Sequence, residues 1–97
     1  MTKIRFAPRI GEDFKRFADH FDQFDAVDAE KRLNEIRLAL RILIHSPLIG
    51  RPVKSAMREL VIGQGSRGYV ALYHYDRFDD VVRIVAIRSQ REEDYKH

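Results

Sequence analysis

Ninety-seven residues, 44% of them hydrophobic and 34% charged, with a formal net charge of +3, describe one globular domain with a single modest core rather than a disordered chain. The absence of cysteine excludes a disulfide framework and suits a reducing cytosol. No run of eighteen apolar residues and no basic-then-apolar leader is present, so neither a membrane span nor a secretory signal is expected.

The placement of charge is less even than its total. Met1 to Gly50 carries nine basic and eight acidic residues, and the segment after Tyr75 carries five against six. Between Arg51 and Tyr75 stand Arg51, Lys54, Arg58 and Arg67 against Glu59 alone. Such an excess suits phosphate or an acidic protein segment, or is simply a solvated face.

In chain order, Lys3-Ile4-Arg5-Phe6 alternates polar and apolar and predicts a strand with Ile4 and Phe6 inward, ended by Pro8. Phe14, Phe17, Phe21 and Phe24, spaced three, four and three, predict a helix from near Gly11 with four rings along its core side. Helical presentation argues for core packing over a stacking platform for bases. Asp25 fits the N-cap of a second helix, with Asp28 and Glu30 favouring its dipole. Ala29, Leu33, Ile36, Leu40 and Leu43 repeat at four, three, four, three, and Ile42 and Ile44 widen that stripe. The short connection predicts an antiparallel helical hairpin packed on a sheet. Ser46-Pro47 stops the second helix, and Gly50-Arg51-Pro52 makes a stiff turn.

Three strands then follow, Met57 to Ile62, Tyr69 to Tyr75 and Val81 to Arg88, rich in β-branched and aromatic residues and separated by Gly- and Asp-rich breaks. In the middle one, Tyr69, Ala71, Tyr73 and Tyr75 share one face, with their hydroxyls expected at the rim, and Val70, Leu72 and His74 share the other. The last is apolar on both faces and should lie centrally. The expected fold is therefore α+β in one domain over 1–97: an N-terminal strand, an antiparallel helical hairpin, a three-stranded antiparallel meander and a short polar C-terminal tail.

Several chemistries find no support. Gly63-Gln64-Gly65-Ser66-Arg67-Gly68 has the form G-x-G-x-x-G, but a strand follows where a dinucleotide site needs a helix, so it is a hairpin connection. His20, His45, His74 and His97 lack metal-ligand spacing, and no Gly-x-Ser-x-Gly elbow exists. No metal or cofactor is expected. The remaining candidate surface is a sheet edge bearing Arg51, Lys54, Arg58, Arg67, Arg88, Gln90 and Arg91, with Tyr95 nearby. Guanidinium forks there could grip phosphates or stabilise charge on a phosphorus attacked by a ribose 2′-hydroxyl. That attack also needs a base, and no histidine stands beside the arginines.

The element order, together with Ser46-Pro47-Leu48-Ile49-Gly50-Arg51-Pro52, Arg58-Glu59-Leu60, Gly68-Tyr69-Val70-Ala71-Leu72-Tyr73 and Ile84-Val85-Ala86-Ile87-Arg88-Ser89-Gln90-Arg91-Glu92, resembles the RelE/ParE superfamily of bacterial toxins over nearly the whole chain. The resemblance implies a cytoplasmic growth inhibitor that assembles with a cognate antitoxin, whose extended or helical tail wraps over the helical hairpin and basic sheet. RelE-like members cut messenger RNA on the ribosome. In that reading Arg58 matches a sheet lysine, Arg91 lies near the tail arginine and Tyr95 is set against the tail tyrosine, and a ribonuclease would use Arg58, Arg67, Arg91 and Tyr95. Leu60, Val70 and Ser89 depart from that pattern, standing where lysine, arginine and, in many relatives, histidine are expected. ParE-like members share the fold without that basic catalytic set and inhibit DNA gyrase. The Pro-Leu-Ile-Gly-Arg-Pro connection and Ile-Arg-Ser-Gln-Arg-Glu run look closer to this branch. A third alternative is a degenerate member that binds antitoxin without toxicity.

Overall fold

The computed structural model describes the backbone of residues 1–22, 26–63 and 68–90, and the side chains of these residues except 17–22 and 26–29. Among them are strand β1 (Lys3–Phe6), helices α1 (Ile10–Asp22) and α2 (Ala26–Leu40), a single turn α3 (Ile42–His45), and strands β2 (Arg51–Pro52), β3 (Arg58–Ile62), β4 (Tyr69–Asp76) and β5 (Val81–Ser89). The strands form one sheet in the order β1-β5-β4-β3-β2. Strands β2 to β5 meander antiparallel, whereas β1 returns across the helices to lie parallel to β5. The helical excursion makes that parallel return possible, since a tight turn can join only antiparallel neighbours. It also places β5 between two strands, as its apolar run requires.

Helix α1 starts for a local reason, and both helices bury one face on the sheet. Glu12 and Asp13 lie in the first turn of α1, where carboxylates favour the dipole. Ile10 and Phe14 from α1, and Leu33, Ile36, Leu40 and Leu43 from α2 and α3, pack on Ile62, Tyr69, Ala71, Tyr73, Val82, Ile84 and Ile87 of the sheet. The Arg37 guanidinium lies 5.4 Å from the centre of the Phe14 ring. Phe17 and Phe21 fall among the undescribed side chains, and Phe24 and the proposed cap Asp25 lie outside the described residues.

Four local expectations need correction. Phe6 is 50% exposed, because β1 is an edge strand and its last residue passes beyond the cover of the helices. Ile42 is exposed rather than part of the buried stripe: α2 ends at Leu40, Arg41 forms a turn, and α3 restarts the winding with Leu43 inward. Gly50-Arg51-Pro52 is more than a turn, since Arg51 and Pro52 pair with Glu59 and Arg58 as a fifth strand. The Tyr73 hydroxyl lies in the core rather than at the rim.

A bulge in β5 controls which side chains face the helices. Leu72 pairs with Ala86 and Tyr73 with Ile84, so Val85 is an extra residue that re-phases the strand. Ile84 and Ile87 consequently both enter the core although three residues apart. By the same shift Arg83, paired with His74, and Arg88, paired with Val70, share the opposite, open face of the sheet.

Candidate functional site

Gly50 immediately precedes the short edge strand, and its lack of a side chain is required. A Cβ there would lie 2.6 Å from the Tyr73 hydroxyl and 2.9 Å from the Glu59 carbonyl. The glycine N–H donates to the Tyr73 hydroxyl at 2.8 Å, and that hydroxyl donates to the Pro47 carbonyl at 2.8 Å. Burial raises the Tyr73 pKa, opposed in part by the Gly50 N–H and the Arg58 charge. The ring thus fastens the 47–50 loop to the centre of the sheet as a neutral phenol.

Arg58 completes the same clasp. Its alternation with Leu60 and Ile62 puts it on the helix-facing side of β3, and its Nη1 donates to the carbonyls of Leu48 at 3.0 Å and Gly50 at 2.8 Å. Arg51 is on the other face of the sheet, where its Nη2 meets Glu59 Oε1 at 2.6 Å. Two cations seven residues apart in sequence are thus separated by the sheet itself.

The remaining members are dispersed. Lys54 is exposed in the β2–β3 turn. Arg88 is half-buried on the open face with Nη1 at 3.4 Å from the Ser89 carbonyl. It stands on β5, three strands from Arg51 on β2, a separation of about 14 Å at ordinary strand spacing. Gln90 follows β5, donates its N–H to the Gly68 carbonyl at 2.9 Å, and lies so close to Gly68 that a Cβ there would meet its Nε2 at 2.5 Å. Arg67, Arg91 and Tyr95 lie outside the described residues. Among the described candidates, then, Arg51 and Arg88 share the open face, whereas Arg58 faces the opposite way.

Two polar clusters escaped the sequence reading. Asp13 is almost fully buried, and accepts from the Ile87 N–H at 3.0 Å and from Arg16 Nη1 at 2.8 Å. Arg16 Nη2 in turn reaches the Ile87 carbonyl at 3.3 Å. β1 ends opposite Ile84, so these two side chains take over backbone partnering along the same margin of β5. At the other end, Asp80 Oδ1 accepts from the Thr2 hydroxyl at 2.6 Å and the Tyr75 hydroxyl at 2.8 Å, fastening the chain start to the β4–β5 turn. Both pairings join residues more than seventy positions apart, which no local spacing could reveal. Among the described residues no group of three or more His, Asp or Glu side chains could hold a metal ion, and no helix is long and apolar enough to cross a membrane.

The family model described as "ParE toxin of type II toxin-antitoxin system, parDE" matches residues 4–94. The chain belongs to the ParE toxin family. Among solved structures, a ParE-like fold is matched in the chromosomal ParDE toxin–antitoxin system from P. aeruginosa, with a TM-score of 0.77 and 17% identity, covering 92% of this chain and 96% of that one. At that identity the likeness speaks for the fold alone. No curated protein matches the chain in sequence. Residues 4–94 reach into every element from β1 to β5.

Proposed function

We propose that this ParE-family chain is a growth-inhibiting, plasmid-stabilising toxin that acts on DNA gyrase in the cytoplasm and is neutralised in a hetero-oligomer with a cognate antitoxin. The carrying observation is the ParE-type family match across residues 4–94. Arg58 supports this reading over ribosome-dependent cleavage of messenger RNA. The guanidinium set against a catalytic sheet lysine has its Nη1 engaged by two loop carbonyls, facing away from Arg51. Binding to gyrase requires no general base, which suits the departures at Leu60, Val70 and Ser89.

The test compares inhibition of gyrase supercoiling by the purified protein with cleavage of ribosome-bound message. Inhibited supercoiling, relieved by the antitoxin from the neighbouring reading frame, is expected. Message cleavage that disappears in Arg91→Ala, with supercoiling untouched, would establish the ribonuclease instead. Growth unaffected by induction without antitoxin would favour a non-toxic antitoxin-binding member.

A further inference from the structure

The open face of the sheet concentrates positive charge at its β1–β5 margin. Arg5 of β1 pairs with Arg83 of β5, and Arg83 pairs with His74 of β4, so three basic side chains stand abreast on neighbouring strands. Lys3 stands two residues before Arg5 on the same face of β1. Like charges directly opposite one another destabilise a sheet, so this row costs the fold something. Lys3, Arg5 and Arg83 are exposed, and their side chains form no hydrogen bond or ion pair among the described residues. Asp76 is the acidic residue of β4 on this face; its carboxylate interacts electrostatically with Arg83 and His74 without an ion-pair contact, and its Oδ1 accepts the N–H groups of Phe78 and Asp79 at 2.9 and 3.2 Å. Taken over the whole open face, Lys3, Arg5, Arg51, Arg83 and Arg88 stand against two carboxylates, Asp76 and Glu59.

An exposed aromatic stands on the hairpin that joins β4 to β5. Phe78, at the tip of the β4–β5 hairpin, is 100% exposed and adjoins the exposed Arg77. Its turn is held by the two N–H bonds to Asp76 and by the Asp80 bonds to Thr2 and Tyr75, so the ring is mounted on a fixed base. Val81 and Val82 separate Arg83 from the turn, a rise of about 10 Å from Asp80 to Arg83.

We infer that the Arg5–Arg83–His74 row and the Phe78 hairpin tip bind a nucleic-acid strand, the two guanidiniums taking phosphates, the imidazole lying beside them and the ring stacking on an unpaired base. An acidic peptide fits this margin less well, because the exposed apolar side chains near it are set apart from the row, Phe6 on the helix-facing side of β1 and Val61 on β3, and peptide docking depends on a buried apolar anchor. Phosphodiester binding needs only cations, and a lone exposed ring suits base stacking of any sequence. This inference is independent of whether gyrase is the target.

Fluorescence anisotropy with a labelled mixed-sequence 20-nucleotide single strand, as DNA and as RNA, and with the matching DNA duplex, tests it on the full chain. Single strands of either sugar should bind at low salt, with a log–log salt slope of about −1.4 for two phosphates neutralised by Arg5 and Arg83. Arg5→Gln/Arg83→Gln should weaken binding about tenfold or more and flatten that slope. Phe78→Ala should cost about fivefold or more on the single strands and leave the duplex unchanged. All three positions are exposed, so thermal unfolding should report intact variants. Equal binding by wild type and the double variant, or no oligonucleotide binding at low salt, would overturn the inference. Displacement by poly-L-glutamate at matched charge would overturn it in favour of an acidic protein partner.

Discussion

Arg58 shows how a residue chosen for its functional look can be committed to structure, in a clasp it shares with Tyr73. The Tyr73 hydroxyl serves one buried donor and one carbonyl at once. Tyr73→Phe should therefore leave the Gly50 N–H and the Pro47 carbonyl unpaired and lower stability by about 1–3 kcal/mol, read from the denaturant midpoint. Arg58→Ala should lower it by about 1–2 kcal/mol through the two lost carbonyl contacts, a discounted figure because the side chain is only partly buried. Measured growth inhibition should therefore be compared at matched folded protein before Arg58 is credited with target contact. Asp13 is a buried carboxylate whose removal strands the Ile87 N–H, so Asp13→Ala should cost about 2–3 kcal/mol. Asp13→Asn should cost less, because the amide oxygen still accepts that N–H.

At the scale of elements, the sheet protects its margins by different means. β2 is two residues long and contains Pro52, which has no N–H to offer a neighbour, while β1 carries Lys3 and Arg5 along the opposite edge. The β2–β3 connection holds Ser55 and Ala56 at φ of 64° and 58°, closed by the Met57 N–H to the Lys54 carbonyl at 3.3 Å. Neither residue favours that region, at a cost of about 1–2 kcal/mol each for the crowded Cβ. Ala56→Gly should remove that crowding, partly offset by the greater freedom of the unfolded glycine, for a net gain of about 0.5–1 kcal/mol in chemical unfolding. An unchanged or lowered midpoint would show that the turn carries no such strain.

The molecule as a whole is closed at its start by Asp80. The Thr2 and Tyr75 hydroxyls hold its carboxyl below the usual carboxylate range, and the Asp79 and Phe78 N–H groups do the same, in that order, for Asp76. A depressed folded pKa adds stability above the unfolded carboxylate value of about 4, and that stability is lost as the pH falls through the folded values. Thermal unfolding should accordingly show a falling midpoint below about pH 4. Asp80→Asn should be less stable at neutral pH and less sensitive to acid, since it has no charge to lose. An acid limb of equal steepness in the variant would assign that limb to other carboxylates.

The sequence by itself determined the long elements, their order and the family, but neither the short strand β2 nor the break between α2 and α3. Helical period, β-branched runs and breaking residues act over a few neighbours, so Phe14, Leu33 to Leu43 and the three long strands were legible without coordinates. Tertiary structure alone decided which faces the arginines occupy. The parallel pairing of β1 with β5 sets Arg5 beside Arg83, and the extra residue Val85 brings Arg83 and Arg88 to one face although five positions apart. Arg51 and Arg58, grouped in sequence as one patch, were parted because odd separations across the β2–β3 turn point to opposite sides of the sheet. Strand register is fixed by contacts among residues far apart in the chain, and a one-residue change in it reverses every side chain beyond.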